Sequence, residues 1–151
     1  TAFMASSASG IEIHCAHLDA MSPVVLYELL WLRSRVFNGE QHATEDDLDG
    51  RELEPASRLV WAEIDGSRAA CLRLLAGDGS TVIGRLVTEP RRRGRGIAQT
   101  LMRWVVENVE GPLELHAQAP LADWYARPGF VVDGPQLMEA GILHVPMRLT
   151  R

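Results

Sequence analysis

Arg91-Arg92-Arg93-Gly94-Arg95-Gly96 puts four arginines and two glycines into six residues, and this is the stretch best equipped to hold a ligand. A β-rich run, Val82-Ile83-Gly84-Arg85-Leu86-Val87-Thr88, precedes it. A helix-period pattern, Ile97, Leu101, Met102, Trp104, Val105 and Val109, follows. The first amides of a helix have no intrahelical acceptor and sit at the positive end of its dipole, so a strand–turn–helix of this kind binds anions. Gly94 and Gly96 let backbone approach a phosphate, and guanidinium groups add charge and bidentate donors. No Gly-Lys-Ser/Thr follows, so this is not a P-loop, and the third small residue of a dinucleotide fingerprint is missing. A pyrophosphate cradle, a solvated charged turn and a nucleic-acid patch all remain open on these residues alone.

The elements that must carry this turn follow from the rest of the chain. Its 151 residues, 46% hydrophobic and 23% charged, suit one soluble domain with its own core. The net charge of −5 argues against general nucleic-acid binding. Acid is concentrated early: residues 1–80 carry 13 acidic and 6 basic side chains, and residues 81–151 carry 7 and 9. A basic pocket on an acidic body suits one small anion better than a polyanion. All fifteen basic residues are arginine. Cys15 and Cys71 read as buried free thiols, which points to a reducing, cytoplasmic setting. No run approaches ~18 apolar residues, so no membrane span is expected. Residues 1–10 read as a flexible lead, and residues 11–151 as the domain.

Ile11 to His14 alternates like a strand. His14-Cys15-x-His17 lacks a second ligand cluster and reads as strand-end histidines, not a metal site. Ser22-Pro23 supplies an N-cap and first-turn proline, and Val25, Leu29, Leu32 and Val36 repeat at helical spacing toward Asn38-Gly39. Glu40 to Pro55 is a polar connection; its Asp47-x-Asp49 resembles a calcium loop, but Arg51 stands where the next oxygen ligand belongs. Leu59 to Ile64, the Asp65-Gly66 turn and Arg68 to Leu75 form a hairpin, and Thr81 to Thr88 the next strand. Beyond the arginine turn come a helix, a strand at Leu113 to Ala117, a short helix at Leu121 to Ala126, and closing strands at Phe130 to Val132 and His144 to Leu149. Trp61, Trp104 and Trp124 read as core, and His116 as structural.

This order resembles the GNAT superfamily of acyl-CoA-dependent N-acetyltransferases. Arg91-x-x-Gly94-x-Gly96 is similar to its Gln/Arg-x-x-Gly-x-Gly/Ala pyrophosphate loop, and Tyr125-x-x-x-Gly129-Phe130 to its late Tyr-x-x-x-Gly-Phe motif. A narrower likeness is to the ElaA-like branch. It rests on Arg35-x-Phe37 with Glu40-Gln41, Asp47-x-Asp49-Gly50, Ile83-Gly84-Arg85, Ala117-Gln118-Ala119 and Gly141-Ile142-x-His144. Ala43-Thr44 and Leu143 depart from that branch, in regions expected to face the acceptor.

The resemblance implies an α/β (α+β) fold: a mixed, mostly antiparallel sheet of six to seven strands, flanked by helices and splayed at the cofactor site. It also implies direct transfer from acetyl-CoA, with no metal, to a primary amine of a small molecule or peptide. On that basis Leu86, Val87, Thr88, Arg91, Arg93, Gly94, Arg95, Gly96, Ile97, Ala98 and Gln118 are expected to hold the cofactor. Tyr125 is the candidate acid, and Glu40 and His144 the candidate bases. No membrane or nucleic-acid partner is expected, and a homodimer is left open. The competing class is an acyl-CoA-binding module without catalysis.

Overall fold

In the computed structural model, which describes residues 3–6 and 10–151, nine strands make one sheet. They are β1 (Phe3–Ser6), β2 (Glu12–Ala16), β3 (Arg58–Ile64), β4 (Ser67–Ala76), β5 (Thr81–Thr88), β6 (Leu113–Gln118), β7 (Val131–Val132), β8 (Leu137–Glu139) and β9 (Ile142–Leu149). The order is β1-β2-β3-β4-β5-β6-β9-β7, with β8 also on β9. Among the described residues only β5 and β6 pair in parallel. Seven strands match the expected ones. Phe3–Ser6, read from sequence as flexible lead, instead pairs with β2, and β8 was not foreseen. Residues 1, 2 and 7–9 of that lead lie outside the described residues.

Local chemistry accounts for the main elements. Ser22 Oγ accepts from Val25 N–H at 3.2 Å and Pro23 opens α1 (Pro23–Ser34). Asp65 and Gly66 join β3 to β4 with φ of 50° and 77°, the geometry a two-residue hairpin needs. Helix α2 (Ile97–Asn108) lays Ile97, Leu101, Met102 and Val105 against one face of the sheet, beside Val60, Leu72, Leu74 and Leu113. Helix α1 buries Leu29 and Leu32 on the other face, against Leu59, Trp61, Cys71 and Val87. Each such aliphatic side chain stabilises the fold by roughly 1.5–3 kcal/mol. A short helix, α3 (Ala122–Ala126), follows β6.

Two irregularities shape what lies between the helices. α1 runs into a π-helical turn over Arg35–Glu40, continued by Gln41 N–H donating to Val36 C=O at 2.8 Å. The second irregularity is in the sheet. β5 and β6 pair only along Thr81–Ile83 and Leu113–Leu115. Past that point β5 continues against β4 as far as Thr88, and β6 continues against β9 as far as Gln118. The sheet therefore opens into a V.

Cys15 and Cys71 are buried and free. They sit on β2 and β4 with β3 between them, and they pack into cores on opposite faces. Two strand spacings separate their backbones by about 9.5 Å, beyond the ~7 Å a disulfide spans. Burial pushes the Cys71 thiol up to about 12 and raises Cys15 as well. Native protein at pH 8 should therefore react slowly with a thiol reagent and fully once denatured, and non-reducing mass spectrometry should show the dithiol mass. A Cys15–Cys71 disulfide would contradict this packing.

Candidate active site

β5 ends at Thr88, and Glu89 folds back so that its Oε2 accepts from Arg91 N–H at 3.0 Å, shaping the turn Pro90–Arg92. Gly94 and Gly96 follow with φ of 79° and 76°, a region costly to a residue with a Cβ. A Cβ on Gly94 would meet nothing within 4 Å, so the turn faces open space. The first intrahelical bond of α2 is Thr100 N–H to Gly96 C=O at 3.0 Å. The amides of Ile97, Ala98 and Gln99 are left without intrahelical acceptors at the mouth of a groove of about 560 Å³. These features fit a pyrophosphate.

The groove runs from this turn into the V. On the far side of the V is a second cavity of about 340 Å³. Gln41, Leu86, Leu121 and Tyr125 line both, so groove and cavity meet there. Tyr125 on α3 is 8% exposed, with its ring edge-on to Trp124 and Phe130. Burial pushes its phenol up to about 12, so it stays protonated through the physiological range. Glu89 N–H bonds to Ala69 C=O across β4 at 2.8 Å, and by strand alternation Thr88 turns its N–H toward the gap left by β6.

The cavity wall contributes polar groups from several elements. Gln118 at the end of β6 donates to Gln41 Oε1 at 2.9 Å, bridging the mouth. His144 on β9 is paired across from Gln118. Its Nδ1 lies 2.7 Å from Ile142 C=O, an acceptor only, so Nδ1 carries the proton and Nε2 keeps a lone pair. His116 pairs with Glu139 of β8.

Beneath the cavity lies a cluster of three arginines and three carboxylates. Arg33 of α1, fully buried, donates to Asp47 at 2.9 Å and to Glu52 at 2.8 Å. Arg73 of β4 grips both oxygens of Asp49, at 2.8 and 2.9 Å, and also reaches Glu52 at 2.9 Å. Arg85 of β5 lies 2.9 Å from Asp47 Oδ1, an ion pair poorly angled for a hydrogen bond, and 3.3 Å from Asp49. The Arg73 hydrogen bonds hold the Asp49 carboxyl well below the usual carboxylate range. For Glu52, burial works upward, but Arg33 and Arg73 outweigh it and bring the carboxyl down. The register between β4 and β5 slips by one residue across Gly84–Val87, a β-bulge, and Arg85 there has φ of 54°. A non-glycine residue in that region costs about 1–2 kcal/mol, which the ion pairs offset.

Residues 17–151 match the acetyltransferase (GNAT) domain. The chain belongs to the GNAT family. A UPF0039 protein of Mycobacterium tuberculosis is 41% identical over 136 residues, 86% of this chain and 85% of its own. Protein ElaA of Escherichia coli is 32% identical over 145 residues, 91% of this chain and 95% of its own. Its crystal structure superposes with a TM-score of 0.83, covering 91% and 98% of the two chains. The crystal structure of an acyl-CoA N-acyltransferase from Pseudomonas aeruginosa does so with 0.83 at 34% identity, with the same coverage. The chain is thus a GNAT acyltransferase of the ElaA-like branch, with the mostly antiparallel sheet of that fold.

Within this GNAT domain, Leu86, Val87, Thr88, Arg93, Gly94, Gly96, Ile97 and Ala98 line the groove. Arg91 and Arg95 do not: both are exposed beside it, because the tight turn aims Arg92 and Arg93 inward instead. Arg92, which sequence did not single out, is held by Ser67 at 2.8 Å. Gln118 faces the second cavity, not the groove. Glu40 lines the groove and is ion-paired with Arg93 at 2.7 Å, whereas His144 lines the cavity. Trp124, read as core, also forms groove wall, and no sequence signal separates the two roles. Asp47 and Asp49 hold arginines brought from distant elements, which local spacing alone does not reveal. Of the two departures, Ala43 lines a smaller cavity beside His144, and Leu143 is 40% exposed and lines none of these spaces.

Arg33→Met should be severely destabilising, by about 3–5 kcal/mol in a urea melt, because Asp47 and Glu52 lose a partner inside the protein. The acid limb has a definite sign. Carboxyls depressed in the folded state add stability above their unfolded pKa, near ~4, and lose it as pH falls below that value. Asp49→Asn should therefore narrow the stability gap between pH 6 and pH 3, and an unchanged gap would contradict the assignment.

Proposed function

We propose that the protein is an acetyl-CoA-dependent N-acetyltransferase that passes the acetyl group directly to an amine while both substrates are bound. The observation that carries this is the meeting of groove and cavity at Leu86 and Tyr125, where the sheet opens. One substrate enters from the phosphate-binding turn and the other from the opposite side, and their reactive ends share one wall. The acyl-CoA N-acyltransferase of Pseudomonas aeruginosa, 34% identical, supports the choice of co-substrate. Buried free cysteines fit a reducing, cytoplasmic setting, and among the described residues no helix is long and apolar enough to cross a membrane.

The amine attacks the thioester carbonyl, and coenzyme A leaves as thiolate. An alkyl ammonium, with pKa near ~10.4, must first lose a proton. His144 takes it at Nε2, directly or through water, since its Nδ1 proton is already fixed on Ile142. Glu40 is engaged by Arg93 at 2.7 Å and keeps that arginine facing the phosphates. Thr88 N–H, turned toward the gap, stabilises the oxyanion. Tyr125 donates a proton to the thiolate. A phenol near 12 is a weak acid, but the dry site that raises it also raises the thiol, which narrows the gap.

Gly96→Asp should abolish acetyl-CoA binding in calorimetry while leaving a folded protein, since a carboxylate would face the phosphates. Tyr125→Phe should bind acetyl-CoA normally and turn over about 10²–10⁴-fold more slowly. Because the phenol ionises only near 12, the parent should show no loss of rate from Tyr125 below about pH 11. Turnover within threefold of the parent would remove Tyr125 from the mechanism.

A further inference from the structure

The β-bulge in β5 does more than open the sheet. Along a regular strand, neighbouring side chains point to opposite faces. The end of β5 lines the acceptor cavity from Val82 to Leu86, and at the bulge this places the Arg85 guanidinium one residue from Leu86, which also touches the groove. Arg85 occupies the bulge with a φ of 54°.

Three arginines line this cavity. Arg73 is gripped by Asp49 and Glu52, and Arg51 is held by Glu54 at 2.8 Å. Arg85 differs from Arg73 in leaving one Nη open, and from Arg51 in being the more enclosed and standing next to Leu86. Its contacts use Nε and Nη2, to Asp47 and Asp49, and among the described residues nothing accepts from Nη1. Its side chain is 30% exposed. Burial and then the neighbouring Arg73 push its pKa down, with Arg33 adding to the effect, while Asp47 and Asp49 work the other way. A further anion at Nη1 is favoured there. Elsewhere in the wall, His116 and Glu139 meet each other.

We propose that the acceptor is an amine that also carries a carboxylate, bound through Nη1 of Arg85 while its amino group lies toward His144 and Tyr125. This rests on the acceptor cavity assigned above. One open guanidinium edge, with Asp49 and Glu52 close behind it, neutralises a single negative charge, and a phosphate dianion would meet those carboxylates. A cavity of about 340 Å³ admits a molecule of amino-acid size or the end of a peptide.

The test compares L-amino acids with their carboxamides, which differ in the carboxylate alone. Each pair is titrated by calorimetry into the protein, with and without saturating coenzyme A. At least one amino acid should bind about 10–100-fold more tightly than its amide, the scale for losing a hydrogen bond to a charged group. In Arg85→Met this preference should fall to within about threefold, and in Arg85→Lys it should fall only part of the way. Melting curves check that both variants fold, and Arg85→Lys carries the comparison if Arg85→Met does not. Equal binding of acid and amide, binding of neither, or a preference that survives in the folded variants would overturn the proposal. Failure to bind coenzyme A would count against the acetyl-CoA assignment instead, because the titration without it still reads the anion slot.

Discussion

Three guanidinium groups and three carboxylates meet under the second cavity, and the course of the loop between Gln41 and Ser57 is set by them. Arg33 is fully buried on α1, and a lone charge there would be prohibitive to desolvate. It becomes tolerable because Asp47 and Glu52 come to it, and they can do so only if the loop crosses the sheet at that point. Glu52 is shared with Arg73, and Asp47 with Arg85, so helix, loop, β4 and β5 are joined through common oxygens. Ser57 Oγ ties down the far end of the loop by donating to Glu52 C=O at 2.6 Å. The polar connection that looks loose in sequence is therefore one of the better-anchored parts of the molecule.

The same cluster explains why the sheet can open without coming apart. Releasing β5 from β6 strips backbone groups of their partners, and a bulge puts a non-glycine residue at positive φ. Both are unfavourable, and both are concentrated at Gly84–Thr88. Arg85 is tied down there from below, while β5 stays paired with β4 on both sides of the bulge and β6 stays paired with β9 from Leu113 to Gln118. The opening is a local exchange of ladder hydrogen bonds for ion pairs, and the exchange leaves a continuous passage from the glycine turn to His144.

Sequence exposes this design unevenly. Ser22-Pro23, Asp65-Gly66 and the Gly94-x-Gly96 turn were legible because each is a local rule, in which a cap, a primed turn or a positive φ selects its residue. The family motifs carried the fold as a whole. What stayed hidden depends on distant partners. Asp47-x-Asp49 carries the spacing of a cation loop, yet its cations are the guanidinium groups of Arg33, Arg73 and Arg85. Which arginines of Arg91–Arg95 face the groove is decided by the turn over Pro90–Arg92, and composition cannot rank them. Glu40 stands out by its motif, whereas its ion pair with Arg93 joins residues more than fifty positions apart. β8 is three residues long and has an edge role that no periodicity marks.

The π-helical turn at Arg35–Glu40 sets the angle at which Phe37 and Gln41 leave α1 for the cavity wall. Such a turn holds one residue more than an α-helix closing the same distance. Losing a single residue there would restore ordinary helical winding and rotate everything after it by about 100°, carrying Gln41 away from Gln118. Length at this point acts as a dial on the pocket, separate from the identity of any side chain in it. Relatives that differ by one insertion or deletion in this turn would present different walls to their acceptors while keeping the glycine turn and the opening of the sheet intact.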